Sequence, residues 1–177
     1  MNKFTLHPFL TESSLPLIKI SGQIERDNHI LSIEYLLQGD LSSVSIAAPV
    51  NKPSRQFYLW EATCFEFFLG VPGNRNYWEF NLSPSGDWNV FRLDDYRQGL
   101  RDEIAFTSLP FTVDRSINLI GLKLAFDLSG IMPIDLSIEI AIATVIKSTQ
   151  GEMSYWALKH SGKEADFHLR DSFTIEG

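Results

Sequence analysis

The stretch Tyr77–Arg92, YWEFNLSPSGDWNVFR, decides the fold. Its first six residues alternate. Trp78, Phe80 and Leu82 take one parity, and Tyr77, Glu79 and Asn81 take the other. Alternation of this kind is the period of a strand with two distinct faces. Ser83-Pro84-Ser85-Gly86 then carries turn chemistry, because proline presets φ near about −65° and glycine admits a positive φ. A second run starts near Trp88. The segment therefore reads as a hairpin whose register is held by Pro84 and Gly86. A slip of one residue would exchange Trp78 for Glu79 and bury a carboxylate.

Working outward, alternation dominates the chain. NHILSIEYLLQG places Leu31, Ile33, Tyr35 and Leu37 on one side before Gly39 stops it. SSVSIAA, LWEATCFEFFLG, EIAFTSL, INLIGLKLAFDLSG, DLSIEIAIATVIKS, MSYWALKH and SFTIEG read as further strands. DDYRQGLRDE could hold one helical turn, but Gly99 interrupts it. Nine or ten short strands with turn signals between them argue for an all-β fold, a two-sheet antiparallel β-sandwich. An up-and-down barrel around a cavity fits the same count. The absence of alternating helices argues against a Rossmann or TIM arrangement.

The chain has 177 residues and an apolar fraction of 44%, which suits one domain spanning 1–177. Cys64 is its single cysteine, so no internal disulfide forms, and its apolar neighbours mark it as a buried small side chain. The net charge of −7, with no basic run, argues against nucleic acid and anionic membranes as partners. No run approaches the length of a membrane span. The first twenty residues are broken by polar residues and prolines, unlike a signal peptide. A cytoplasmic location is the expectation.

Parity also sorts the aromatic and polar residues. If Phe65 and Phe67 face the core, Trp60 and Glu66 lie on the opposite face. If Trp78, Phe80 and Leu82 face it in the next strand, Glu79 and Asn81 join Trp60 and Glu66. In DWNVFR either Asp87, Asn89 and Phe91 or Trp88, Val90 and Arg92 could extend that face. Aromatic rings beside carboxylate and amide groups suit a hydroxyl-rich ligand. Trp60 and Trp88 are the expected stacking residues, with Glu66, Glu79, Asn81 and Arg97 as hydrogen-bonding partners and Trp156 as a further aromatic contact.

Catalytic signatures are absent: no G-x-S-x-G, phosphate loop, H-E-x-x-H or C-x-x-C occurs. Glu66 and Glu79 could form a hydrolytic carboxylate pair if about 5–10 Å apart. His160, Asp166 and His168, with Met153, offer an alternative as a metal or haem site.

Three blocks, LWEATCFEFFLG, YWEFNLSPSGDWNVFRLDDYRQG and YWALKHSGKEADFHLRDSF, resemble the bacterial DOMON-like family related to family 9 carbohydrate-binding modules. The similarity runs from about Leu59 to Phe173. It is closest to small members found alone or fused to UDP-N-acetylenolpyruvoylglucosamine reductase. The matching residues are Trp60, Glu61, Cys64 and Glu66. They continue with Trp78, Glu79, Asn81, Ser83, Pro84, Gly86, Trp88, Tyr96 and Arg97, then Tyr155, Trp156, His160, Asp166, Phe167 and His168. The resemblance implies an immunoglobulin-like or jelly-roll sandwich that binds a ligand without catalysis. In the wider superfamily that ligand is a sugar or a haem, and true family 9 modules also carry calcium. For this chain a sugar-like small molecule is expected, with no cofactor. Haem or calcium is the alternative.

Overall fold

The computed structural model describes residues 1–9 and 16–177. Residues 10–15, part of the N-terminal stretch read above for its polar breaks, lie outside the described residues. Among the described residues the first six strands are β1 (Asn2–Pro8), β2 (Ile18–Asp27), β3 (Ile30–Gly39), β4 (Cys64–Gly70), β5 (Tyr77–Leu82) and β6 (Trp88–Leu93). Six more follow: β7 (Arg101–Asp102), β8 (Phe111–Ser116), β9 (Leu119–Asp127), β10 (Glu139–Lys147), β11 (Met153–Ala157) and β12 (Ile175–Glu176). All pair antiparallel in the order β7-β6-β5-β4-β10-β11-β1-β2-β3-β9-β8, with β12 beside β10.

The sheet folds onto itself at β1. Asn2–Leu6 pair with β2, whereas His7 and Pro8 pair with β11. A strand that passes from one layer to the other makes such a corner. The two layers are then β8-β9-β3-β2-β1 and β11-β10-β4-β5-β6-β7. The path ends at β7 and β8 without pairing them, so the architecture is an open sandwich and not the closed barrel.

The expected parity sets the main core. Ile33, Tyr35 and Leu37 of β3 and Leu122 and Leu124 of β9 meet Phe65, Phe67, Trp78 and Phe80 from the opposite layer. Phe67 stacks on Phe80 with centroids 4.3 Å apart, and the Tyr35 hydroxyl donates to the Glu66 carbonyl at 2.7 Å.

Several segments depart from the sequence reading: β1 and β2, unread as strands, join the sheet, and DDYRQGLRDE holds no helical turn but ends in the short strand β7. SSVSIAA holds a 3-10 turn (Leu41–Ser43), because the Asp40 carboxylate accepts from Ser42 N at 3.0 Å. LWEATCFEFFLG becomes a strand only at Cys64. Before it, Leu59–Glu61 form a 3-10 turn entered through Tyr58 at φ 61°. EIAFTSL forms no strand: Arg55 binds the carbonyls of Glu103 and Phe106, and the Glu103 carboxylate turns inward to Trp78 Nε1 at 2.9 Å. Phe111–Ser116, unread as a strand, pairs along β9. Strand pairing here is decided by what occupies the backbone groups and not by propensity alone.

Candidate functional site

Strand register writes out the second face of the β11-β10-β4-β5-β6 layer row by row. Ala157, Ala143, Glu66, Asn81 and Asn89 are successive neighbours across the strands. The next row is Ala141, Phe68, Glu79 and Phe91. Glu66 and Glu79 are thus diagonal neighbours on one face, a relation that sets residues about 7–8 Å apart and their Cβ atoms somewhat closer. The alanines beside them leave a depression above the sheet.

A strap covers part of this face. After β11 the chain returns over it, packing Phe167, His168 and Phe173 against Phe68 and Tyr77. Arg170 anchors the strap by donating to Val71 O at 3.1 Å and to Glu139 Oε2 at 2.7 Å. Its guanidinium passes over Gly70, where any side chain would collide with it.

Sheet, strap and flanking loops enclose a cavity of about 430 Å³. Glu66 and Glu79 line its sheet side, Phe167 and His168 its strap side, and Trp60, Arg97, Leu100 and Tyr155 its margins. The margin carries Trp60, packed edge-on against Tyr58 and Phe91, and the solvent-exposed Tyr155. Tyr58 and Arg97 both have positive φ, at 61° and 51°. Non-glycine residues rarely hold this conformation, and such strain concentrates at functional positions.

The carboxyls are deeply buried, Glu66 at 3% and Glu79 at 5% exposure. Asn81 Nδ2 donates to Glu79 Oε1 at 2.8 Å, while Glu66 Oε1 has no hydrogen-bond partner. Burial pushes the Glu66 carboxyl well above the usual carboxylate range, and the neighbouring Glu79 adds to this. Burial also raises Glu79 to about 7, against the opposing pull of Asn81 and Arg97. His168 is lowered to about 4, first by burial and then by Arg97. Near neutrality, then, His168 is uncharged.

One hydrogen-bond chain orients the strap side. Arg97 N donates to the Tyr77 hydroxyl at 3.2 Å, and that hydroxyl lies 2.8 Å from His168 Nδ1. Tyr77 therefore donates to Nδ1, which assigns the imidazole proton to Nε2, 4.0 Å from Glu79 Oε2. Asp166 ties the same region together, accepting from the Tyr96 hydroxyl, from Arg97 Nη2 at 3.0 Å and from His168 N at 2.9 Å. Burial alone would raise Asp166, but these donors hold it below the ordinary value.

Of the residues singled out in the sequence, Trp60, Glu66, Glu79 and Arg97 meet at the cavity, and Asn81 supports Glu79 from beneath. Trp88 and Trp156 do not. Register places both in a core row, Trp156-Thr144-Phe65-Leu82-Trp88, facing the other layer. Both are buried there, at 4% and 5% exposure. The parity choice left open in DWNVFR falls to Asn89 and Phe91, and Arg55 lies over the Trp88 ring at 4.5 Å.

The proposed metal set also separates. His160 Nε2 pairs with His7 O at 2.8 Å beside Phe9, and Met153 packs on the second core, whereas Asp166 and His168 join Arg97 and Tyr77. Among the described residues no group of three or more His, Cys, Asp or Glu is placed to hold a metal ion. Alternation gave no sign of the strap, so the place of Phe167 on the cavity and the tautomeric role of His168 were not read from periodicity, although the resemblance named both residues. Tyr77 could have been found, since it shares parity with Glu79.

At the level of sequence, no family model and no curated protein matches the chain. Solved structures do match in fold. A candidate carbohydrate-binding protein of Bacteroides uniformis superposes with a TM-score of 0.68 at 13% identity, over 97% of this chain and 84% of that one. A family 9 carbohydrate-binding module of Caldicellulosiruptor kristjanssonii in complex with glucose gives 0.53 at 10% identity, over 85% and 72%. The module from the same organism in complex with cellotriose gives 0.57 at 9%, over 92% and 74%. The chain thus has a fold like that of family 9 carbohydrate-binding modules. Among the described residues no helix is long and apolar enough to cross a membrane.

Proposed function

We propose that the chain is a single non-catalytic module that holds a sugar-like small molecule in the cavity above Glu66 and Glu79, with no cofactor. One observation carries this reading. Two buried carboxyls, one of them held by the Asn81 amide beneath, floor a concavity with Trp60 and Tyr155 at its margin, an arrangement that satisfies hydroxyls below while rings cover apolar ring faces. The fold shared with modules crystallised with glucose and cellotriose supports it. Against a hydrolytic pair, the two glutamates rise side by side from adjacent strands of one face, so they approach a ligand from the same direction. We read Trp60 and Arg97 as ligand contacts, and the chain as a cytoplasmic relative of the DOMON-like modules.

Titration calorimetry with monosaccharides and short glucans, on the wild type and on Trp60→Ala, tests this. Saturable binding that Trp60→Ala weakens at least tenfold is expected. No binding at ten-millimolar sugar, or binding indifferent to Trp60, overturns it.

A further inference from the structure

The cavity's charge balance points to a narrower ligand class. Charged and titratable groups reach it from every side. Glu66 of β4, Glu79 of β5, Arg97 after β6, Tyr155 of β11 and His168 of the strap line it, while Cys64, Tyr77 and Asp166 lie behind this lining against Asn81, His168 and Arg97. Arg97 is the one cationic side chain lining it among the described residues, and its guanidinium is already paired with Asp166 at 3.0 Å. His168 is neutral. Cys64 and Tyr77 are buried and raised in pKa, so both stay uncharged. Two carboxyl groups therefore face the space with no cation of their own. Glu66 Oε1 is sealed from solvent without a donor. A buried polar atom without a partner carries an unrecovered desolvation cost, which persists only where something else is gained.

A neutral hydroxyl would satisfy one lone pair but leave two carboxyls suppressing each other's ionisation. An ammonium group supplies three donors and a positive charge together.

We propose that the ligand carries an amino group, seated as an ammonium between Glu66 and Glu79, which makes an amino sugar the preferred class. This rests on the sugar reading above. When the ammonium arrives, the protonated carboxyl beside it ionises and its proton passes to solvent. Binding is therefore coupled to proton release, which neutral sugars do not provoke.

The test compares glucosamine, glucose, N-acetylglucosamine and cyclohexylamine by calorimetry at pH 6, in two buffers of different ionisation enthalpy. Thermal melts of each variant verify folding. Glucosamine is expected to bind at least tenfold more tightly than glucose or N-acetylglucosamine, releasing up to one proton. Glu66→Gln should remove both the preference and the release while the melt shows an intact fold. If that variant fails to fold, the proton count on the wild type still decides. Glucose equal to glucosamine without proton release overturns the ammonium proposal and leaves the sugar reading standing. Cyclohexylamine equal to glucosamine, with no binding of glucose, upholds the ammonium site and overturns the sugar reading. No binding by any of the four overturns both.

Discussion

Gly86→Ala examines the hairpin on which the fold rests. Ser83-Pro84-Ser85-Gly86 closes through Gly86 N to Ser83 O at 3.0 Å, and Ser83 N to Asp87 O at 2.9 Å begins the ladder beyond it. The turn is clamped from outside. Val50 N donates to Ser85 O at 3.0 Å, Ser54 N to Asp87 Oδ1 at 2.9 Å, and Arg115 of β8 to Pro84 O. Gly86 sits at φ 100°, and a Cβ there would lie 2.9 Å from Pro53 Cγ. The positive φ alone costs an alanine about 1–2 kcal/mol. The contact is with a rigid ring, so relieving it adds about 1–3 kcal/mol. The sum, roughly 2–5 kcal/mol, corresponds to about 4–20 °C in melting temperature for a chain of this size. Gly151 is the internal control: its φ is 92°, yet nothing lies within 4 Å of its would-be Cβ. Gly151→Ala should therefore cost only the backbone part. Chemical denaturation of both variants reads the difference directly. Equal midpoints would refute the role given to Pro53. Unchanged stability of Gly86→Ala with lost ligand binding would show the turn to be a binding loop.

Three further outcomes follow from the site. Between about pH 4.5 and 7 the folded state keeps the Glu79 proton that the unfolded chain has released, so this group makes stability fall as pH rises. His168 acts oppositely: between pH 6.5 and about 4 the unfolded chain takes a proton the folded state refuses, so stability falls as pH falls. Glu79→Gln should thus stabilise at pH 8 by on the order of 2–3 kcal/mol and change little at pH 4.5, which denaturation across pH would measure. Trp88→Ala should cost about 3–5 kcal/mol, whereas Trp60→Ala should cost under about 1 kcal/mol while abolishing ligand-induced fluorescence change. Gly70→Ala should expel the Arg170 guanidinium from Val71 and Glu139, losing about 1–3 kcal/mol and exposing residues 160–173 to limited proteolysis.

Parity made the layer β4-β5 legible, because each residue there has only two faces to choose from. Glu66, Glu79 and Asn81 could be grouped on one face for that reason, and Trp78 and Phe80 on the other. Trp88 failed because Asp87-Trp88-Asn89 carries an aromatic between two polar residues, so either face is credible until Arg55 and Gln56 occupy Asn89. Trp156 failed for a different cause: its face depends on β11 pairing with β10, a long-range register no local pattern encodes. The strap is invisible to periodicity altogether. It is irregular chain, held by Arg170 and Asp166 through contacts with residues distant in sequence.

The corner strand β1 has a consequence for how the chain is made. His7 pairs with Ala157, so the partner that folds one layer onto the other is synthesised roughly 150 residues after β1 itself. At about 5–20 residues per second this is a delay of roughly 10–30 s. During that interval β1-β2-β3 can zip as a meander, but its outer edge has no neighbour and its apolar face no lid. A ribosome-bound chain stalled before β11 should accordingly bind hydrophobic-surface chaperones, and release them when Met153–Ala157 emerge.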